Sequence, residues 1–249
     1  MFLQPFQISR KSLVADIVAG DYRTAEVFRK HGIGYCCGGK WPMEIACEMQ
    51  DINPVMLQAE LELAVRTNQV SNHIDFAECD TEFILDYIIN VHHRYLKKSL
   101  STTQEMLADF ANEHVKKFTY LNELEIQFDS LVQKLRYDVQ QEEEVLFPYI
   151  RHLAHAKKHK EPYAALLIKT LRKPIEETMF SSDNSIEEII LSIRNLAGGY
   201  EPPEKVCISH KVVLAKLKEL DNDLMQHLYL EQSVLFPRAM AIEKELLSV

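Results

Sequence analysis

The chain contains one eleven-residue pattern twice: Asp138-Val-Gln-Gln-Glu142-Glu-Glu-Val-Leu-Phe-Pro148, and later His227-Leu-Tyr-Leu-Glu231-Gln-Ser-Val-Leu-Phe-Pro237. In each copy a residue able to bind metal precedes a glutamate by four positions, so both side chains lie on one face of a helix. The closing proline is expected to end that helix, because it cannot continue the hydrogen-bond pattern. Two helices that each present an inward carboxylate are the basis of di-metal sites in four-helix bundles.

The composition predicts an all-α protein. Only seven glycines and nine prolines occur among 249 residues, 47% of which are hydrophobic. A net charge of −9 disfavours nucleic acid or an anionic membrane as a partner. No apolar run approaches the ~20 residues that a bilayer crossing requires, and the first residues lack the features of a signal peptide. Five cysteines without framework spacing do not suggest a disulfide scaffold. These features lead us to expect a cytoplasmic location.

The pattern of helix signals divides the chain into two predicted domains. Residues 12–66 form a series of short helices that end at glycines or begin at prolines. The polar stretch from Thr67 to Asp80 has weak periodicity and is predicted to be a linker. We therefore predict a small N-terminal helical domain at residues 1–75 and an antiparallel four-helix bundle at 76–249. The long helices are expected at about 81–112, 118–146, 163–197 and 205–235, the third interrupted near Pro174 or at 181–184.

Simple hairpin geometry places the candidate ligands at one depth of the bundle. Residues equidistant from a turn lie at the same level, and the midpoint between His93 and Asp138 falls near residue 115, where the first turn is expected. The midpoint between Asp183 and His227 is residue 205, just after the Gly-Gly…Pro-Pro segment. The spacing thus predicts a metal site with six candidate ligands: His93, Asp138, Glu142, Asp183, His227 and Glu231.

Residues next to two of the candidate ligands need a separate interpretation. His92 lies about 100° around the helix from His93, so the two histidines are not expected to face the same point. Glu143 and Glu144, which follow Glu142 directly, are interpreted as solvated charges.

A second candidate site is the cysteine pair Cys36-Cys37 on a glycine-rich turn. Adjacent cysteines seldom pair with one another, because the small ring is strained. Nearby basic residues (Arg29, Lys30 and Lys40) favour a thiolate, so the pair suits thiol exchange, transient iron binding or an intermolecular disulfide. The alternative is a reduced pair that only packs the small domain.

These motifs resemble those of the repair-of-iron-centres proteins, which join a Cys-Cys domain to a hemerythrin-like di-iron domain. The resemblance rests on Phe28-Arg-Lys-His-Gly-Ile-Gly-Tyr-Cys-Cys-Gly-Gly-Lys40, His93, both Leu-Phe-Pro repeats and Pro202-Pro203. It covers nearly the whole chain and indicates that His93, rather than His92, is the candidate ligand. It implies a carboxylate-bridged, non-haem di-iron centre in which Glu142 and Glu231 are the bridges.

The chain departs from that family at two ligand positions. The resemblance implies one histidine on each bundle helix, but the positions on the second and third helices fall on Asp138 and Asp183. An oxygen-rich half-site still binds iron, and it favours manganese or magnesium more than imidazole would. The alternative is a half-site that no longer binds, which leaves one metal or none.

The resemblance implies the repair of iron–sulfur clusters damaged by nitric oxide or peroxide. Iron would be donated or reduced at the bundle site, with Cys36 and Cys37 in a redox or delivery role and damaged iron–sulfur proteins as partners. This is a metal-redox or metal-transfer role rather than a defined organic turnover. Two alternatives remain open: a sensor or carrier of O₂ or NO, and a metal-poor descendant that acts through protein contacts. A homodimer is compatible with either domain.

Overall fold

The computed structural model describes residues 8–21, 23–35, 39–65, 74, 76–171 and 175–248, with side chains omitted at 167, 171 and 175–185. The described part of the chain is helical throughout and contains no β-strand. The prediction of an all-α protein is therefore confirmed. No helix in these ranges is long and apolar enough to cross a membrane.

The N-terminal residues form four short helices: α1 (Val14–Gly20), α2 (Thr24–Lys30), α3 (Met43–Met49) and α4 (Pro54–Val65). The segment before α1 lies antiparallel to the segment before α3, and the Val14 amide donates to the carbonyl of Trp41 over 3.1 Å. The core of this group contains fully buried Ile17, Phe28 and Met43. Trp41 itself is 53% exposed.

The remaining helices form four long rods. The first comprises α5 (Thr81–Tyr87), a π-helical turn π1 (Ile88–His93) and α6 (Arg94–His114). The second comprises α7 (Tyr120–Gln141), π2 (Glu142–Leu146) and α8 (Phe147–His159). The third comprises α9 (Ala164–Leu171) and α10 (Ile175–Leu196). The fourth comprises α11 (Ile208–Tyr229), π3 (Leu230–Leu235) and α12 (Phe236–Leu247). Helix α7 packs between α6 and α10.

The prolines of the two repeats do not end their helices, which corrects the expectation from the sequence. Pro148 and Pro237 lie in the first turns of α8 and α12, and helix continues for about three turns beyond each. A proline is tolerated there because each one directly follows a π-turn, where the regular α-helical hydrogen bonding is already interrupted. The expected interruption at 181–184 is also absent, since α10 runs unbroken through these described backbone positions.

The Leu-Phe pairs of both repeats form the centre of the bundle core. Leu146, Phe147, Leu235 and Phe236 are all buried, within a cluster whose other members are Ile84, Leu85, Ile88, Tyr149, Ile150, Leu153, Ile168, Leu230, Val234, Ala239 and Ile242. Burial of each large side chain contributes about 2 kcal/mol. The repeat therefore combines polar candidate ligands with the apolar residues that fix the helices carrying them.

Contacts group the chain into two compact units. One contains Met1–Asn72 and Tyr200–Leu217, and the other contains His73–Gly199 and Lys218–Val249. The boundary within the fourth rod falls inside α11. The division into domains at 1–75 and 76–249 stays a prediction.

Candidate metal centre

Four buried side chains meet at the middle of the bundle unit. Candidate ligand atoms of His93, Glu142, His227 and Glu231 all lie within 4.8 Å of one another. The two imidazole Nε2 atoms are 3.2 Å apart, and His227 Nε2 is 3.0 Å from a carboxylate oxygen of Glu231. His93 Nε2 lies 3.2 Å from Glu142 Oε2. Two ligands bound side by side at about 2.1 Å from one ion are themselves about 3 Å apart, so this spacing fits a shared cation.

Three of these four residues lie in π-helical turns. His93 is the last residue of π1, Glu142 is the first residue of π2, and Glu231 lies in π3. A π-turn inserts one extra residue into an α-helix and is frequent at functional sites. In both repeats the π hydrogen bond runs to the carbonyl of the candidate ligand, from Phe147 to Glu142 and from Phe236 to Glu231. The turns therefore set the direction of the ligand-bearing residues.

Glu143 holds His93 in one tautomer. The Nδ1–H of His93 donates to Glu143 Oε1 over 3.0 Å, and Lys97 donates to the other oxygen over 2.6 Å. With the proton on Nδ1, the Nε2 lone pair is directed at the cluster, as in the carboxylate–histidine pairs of metal proteins. The expectation that Glu143 is a solvated charge is wrong, since its side chain is only 25% exposed.

His92 also lies inside the bundle, although the sequence placed it on another face. Its ring is parallel to that of His227, with centroids 5.5 Å apart, and its Nδ1 is 3.0 Å from Asp223 Oδ1. Both His92 and His93 are fully buried. They follow each other at the end of π1, where the wider turn brings consecutive side chains closer in direction. His92 is not part of the four-residue group, so its position makes it a neighbour of the cluster.

The electrostatics of the cluster favour a cation. Burial, and next the charge of Glu231, raises the pKa of Glu142 to about 8. Burial, and next the charge of His92, lowers the pKa of His227 to about 3. Burying a carboxylate disfavours its ionised form, and burying an imidazole disfavours its protonated form. A bound cation stabilises both the ionised carboxylate and the neutral imidazole that it requires as ligands.

The other predicted site residues lie apart from this group or outside the described residues. Asp138 is half-buried one turn before Glu142, and its Oδ2 is buried without a hydrogen-bond partner among the described residues. The backbone of Asp183 lies within α10, and its side chain is outside the described part. Cys36 and Cys37 also lie outside it.

Sequence reasoning missed Glu143, Lys97 and the His92–Asp223 pair. A signal for Glu143 and Lys97 was available in the sequence, because Lys97 lies one turn after His93 on the same helix face. The partnership of His92 with Asp223 joins two helices that are distant in sequence and leaves no local signal.

The fold and the cluster define a class of protein: a helical bundle with a buried histidine–carboxylate metal site, preceded by a small helical region. Comparison with known families agrees. Residues 85–239 match the hemerythrin HHE cation-binding domain, and residues 10–65 match ScdA_N, a domain of unknown function. The chain belongs to the hemerythrin HHE cation-binding family.

Individual relatives match across both regions. The iron–sulfur cluster repair protein YtfE of Edwardsiella ictaluri is 28% identical over 218 residues, which is 88% of this chain and 91% of the relative. The iron–sulfur cluster repair protein ScdA of Staphylococcus haemolyticus is 24% identical over 240 residues, covering 92% and 98% of the two chains. A probable iron–sulfur cluster repair protein of Haemophilus influenzae is 23% identical over 215 residues, covering 86% and 90%.

The residues present fit non-haem iron. Imidazole nitrogen and carboxylate oxygen are both suitable iron ligands, and the cluster offers two of each. Buried Glu142 Oε2 and His227 Nδ1 have no hydrogen-bond partner among the described residues, which is costly unless another group satisfies them. A bound ion would account for the orphaned carboxylate oxygen.

Proposed function

We propose that this protein repairs iron–sulfur clusters damaged by nitrosative or oxidative stress, using iron held at a carboxylate-bridged site. The observation that carries the proposal is the buried group of His93, Glu142, His227 and Glu231. The proposal is also supported by relatives named as iron–sulfur cluster repair proteins, which align with about nine tenths of the chain. The partners would be damaged iron–sulfur proteins, and the location would be the cytoplasm.

Different residues of the chain would bind the two iron ions. His93 and His227 would bind one ion through Nε2, and Glu142 and Glu231 would bridge to a second ion bound by Asp138 and Asp183. Bound iron supplies the capacity for one-electron chemistry or for transfer to a damaged cluster. Glu143 orients His93 through its Nδ1–H, and the Leu-Phe core residues keep bulk water away from the cluster.

Cys36 and Cys37 would act between the metal site and the client protein. A thiolate at this pair would bind iron transiently or exchange disulfides during delivery. The role requires reactive thiols but not the bundle ligands, so the two sets of residues are separable by mutation. A homodimer, in which one subunit's cysteine pair serves its partner, fits the same scheme.

Restoration of a damaged cluster in a purified client enzyme tests this proposal. A Glu142→Ala/Glu231→Ala variant is expected to lose both bound iron and the restoring activity. A Cys36→Ser/Cys37→Ser variant is expected to retain iron but to lose most of the activity. Full metal content with full restoration in the glutamate variant would overturn the proposal.

A cavity beside the cluster favours a second candidate function, the binding of O₂ or NO. The cavity has a volume of about 290 Å³ and lies between α6 and α7. Its walls include Leu96, Leu100, Leu135 and Val139, and Glu143, the partner of His93, also lines it. The four apolar side chains suit small uncharged gases, and the rest of the lining is polar: Lys97, Arg136, Gln140, Glu143 and Glu144.

Gas titration distinguishes the two functions. A binding protein should show a reversible change in its charge-transfer absorption on exposure to NO or O₂, and the Cys36→Ser/Cys37→Ser variant should behave identically. Leu135→Trp, which fills the cavity, should weaken the response. An unchanged spectrum in the iron-loaded protein, or an unaffected Leu135→Trp variant, would contradict the gas-binding function.

A further inference from the structure

The two histidines of the cluster are supported in different ways. The Nδ1–H of His93 has Glu143 as its acceptor. His227 presents Nε2 to the cluster, 3.0 Å from Glu231, and its buried Nδ1 has no hydrogen-bond partner among the described residues. A neutral imidazole that binds metal through Nε2 carries its proton on Nδ1. The donor of His227 therefore lacks the acceptor that usually orients a ligating histidine.

The ring of His92 contacts the ring of His227. The two rings lie at 5° to each other, and their centroids are 5.5 Å apart, a separation at which offset aromatic rings attract each other. His92 is fully buried, and the ring of Tyr87 meets it edge-on with centroids 5.6 Å apart. The ring of His92 is therefore held by packing and limits the directions in which His227 can turn.

Asp223 fixes the position and the tautomer of His92. Its Oδ1 accepts from Nδ1 of His92 over 3.0 Å, and its side chain is only 18% exposed. Asp223 precedes His227 by one turn on the same face of α11, so His92 contacts two successive positions of that face. With the proton on Nδ1, Nε2 of His92 is an acceptor, and this buried atom has no partner among the described residues. An unpaired acceptor and an unpaired donor thus belong to the two rings in contact.

We propose that His92 and Asp223 are positioning residues for the metal ligand His227. Asp223 fixes the ring of His92, and His92 fixes the plane of His227 and carries an acceptor of the kind that its Nδ1–H requires. The pair takes the part that Glu143 takes for His93. The inference rests on the metal site of the proposed function and deepens it by naming what orients the second imidazole.

Metal binding by variants of the full-length protein tests the proposal. His92→Ala removes the ring contact and the acceptor together, and we expect its affinity for Fe²⁺ in chelator competition to fall about 10- to 100-fold. With Co²⁺ as the probe, this variant should also show a shifted visible absorption, because these bands report the geometry of the ligands around the ion. His152→Ala, which removes an exposed histidine of α8, is the control and should match the wild type in both measurements.

Substitutions at Asp223 separate orientation from a general loss of structure. Asp223→Asn keeps an oxygen that accepts from Nδ1 of His92 and should retain most of the affinity, whereas Asp223→Leu should lose about as much as His92→Ala. The double variant His92→Ala/Asp223→Leu should bind no more weakly than His92→Ala, because Asp223 acts through His92. Additive losses in the double variant would contradict this relationship.

The outcomes distinguish this inference from the proposed function. Undiminished Fe²⁺ affinity or an unshifted Co²⁺ spectrum in His92→Ala would overturn the inference and leave the metal site standing. Weaker binding with a shifted spectrum in His92→Ala, in a protein whose wild type restores no cluster, would support the inference and contradict the repair function. A wild-type protein that binds no metal would overturn both.

Discussion

Glu143 accepts the Nδ1 proton of His93 over 3.0 Å, while Lys97 donates to the second oxygen of the same carboxylate over 2.6 Å. The three residues come from two helices, since His93 and Lys97 flank the start of α6 and Glu143 lies in π2. The carboxylate restricts the ring of His93 to one orientation and one tautomer. Lys97 in turn keeps the carboxylate ionised, because it lowers the pKa of Glu143 against the effect of burial.

Removing this carboxylate should weaken metal binding without removing a ligand. Glu143→Ala is expected to lower the affinity for Fe²⁺ about 10- to 100-fold, the usual cost of losing the partner of a ligating histidine. The measurement is competition with a chromophoric chelator under anaerobic conditions. Glu144→Gln should bind as the wild type does, because the partner of Glu144 is Gln140 and not a candidate ligand. Undiminished affinity in Glu143→Ala would contradict the orienting role.

The contribution of Glu142 to the stability of the metal-free protein should fall as the pH rises from about 4.5 to about 8. The folded-state pKa of Glu142 is raised from 4.5 to about 8, with burial as the first cause and Glu231 as the second. Within that window the folded protein keeps a proton that the unfolded chain releases. This contribution is therefore largest below the lower value and is lost towards the upper one, with a total on the order of 5 kcal/mol. His227, whose pKa is lowered by burial, acts in the opposite direction at pH values below 6.5.

Replacing Glu142 by glutamine should remove this pH dependence. In chelator, Glu142→Gln should match the wild type near pH 4.5 and exceed it by a few kcal/mol near pH 8, as measured by urea unfolding. Glu144→Gln, which changes an exposed carboxylate of the same turn, should follow the wild-type curve. Parallel curves for Glu142→Gln and wild type would show that Glu142 is ionised in the folded protein throughout.

An ion pair connects the third and fourth rods of the bundle. Arg194 in α10 donates to both oxygens of Asp221 in α11, over 2.8 and 2.7 Å. The side chain of Asp221 is only 6% exposed. Arg194→Met should therefore destabilise the protein by about 2 kcal/mol, because it leaves a buried carboxylate without its main partner. Urea unfolding in chelator measures the loss.

An exposed ion pair on the same unit provides the control. Arg151 donates to Asp86 over 2.8 Å, with both side chains largely in solvent. Arg151→Met should cost no more than about 1 kcal/mol. Adding Asp221→Leu to Arg194→Met should recover part of the loss, because the unpaired charge is removed. Equal effects of the two single arginine substitutions would contradict the importance of burial.

The repeat predicted the centre of the site because its spacing is short and occurs twice. The four-residue spacing of candidate ligands on one helix identifies His227 together with Glu231. Comparison of the two copies of the repeat then identifies Glu142. His92 was misplaced because the angular argument assumed 3.6 residues per turn, and π1 departs from that value. Glu143 was misinterpreted for a different reason. Its burial depends on how α6 and α7 pack against each other, and the charge pattern of the sequence does not encode that packing.

The prolines of the two repeats were correctly placed at a helical discontinuity but misread as helix ends. Each follows a π-turn whose closing hydrogen bond runs to the carbonyl of a candidate ligand, Glu142 or Glu231. In an α-helical turn the ring of Pro148 would clash with the carbonyl of Glu144 and leave it without a donor. The proline therefore disfavours regular α-helix at the position where the structure has π2.

Replacing this proline should lower metal affinity while the bundle stays folded. Pro148→Ala restores an amide that can pair in α-helical register, so the π-turn loses an element that enforces it and Glu142 loses its fixed direction. We expect roughly tenfold weaker binding of Fe²⁺, or ~1.4 kcal/mol, with unchanged helix content in circular dichroism. Pro162→Ala, in the exposed connection between α8 and α9, is the control and should bind normally. Full affinity in Pro148→Ala would show that packing of Leu146 and Phe147 alone maintains the π-turn.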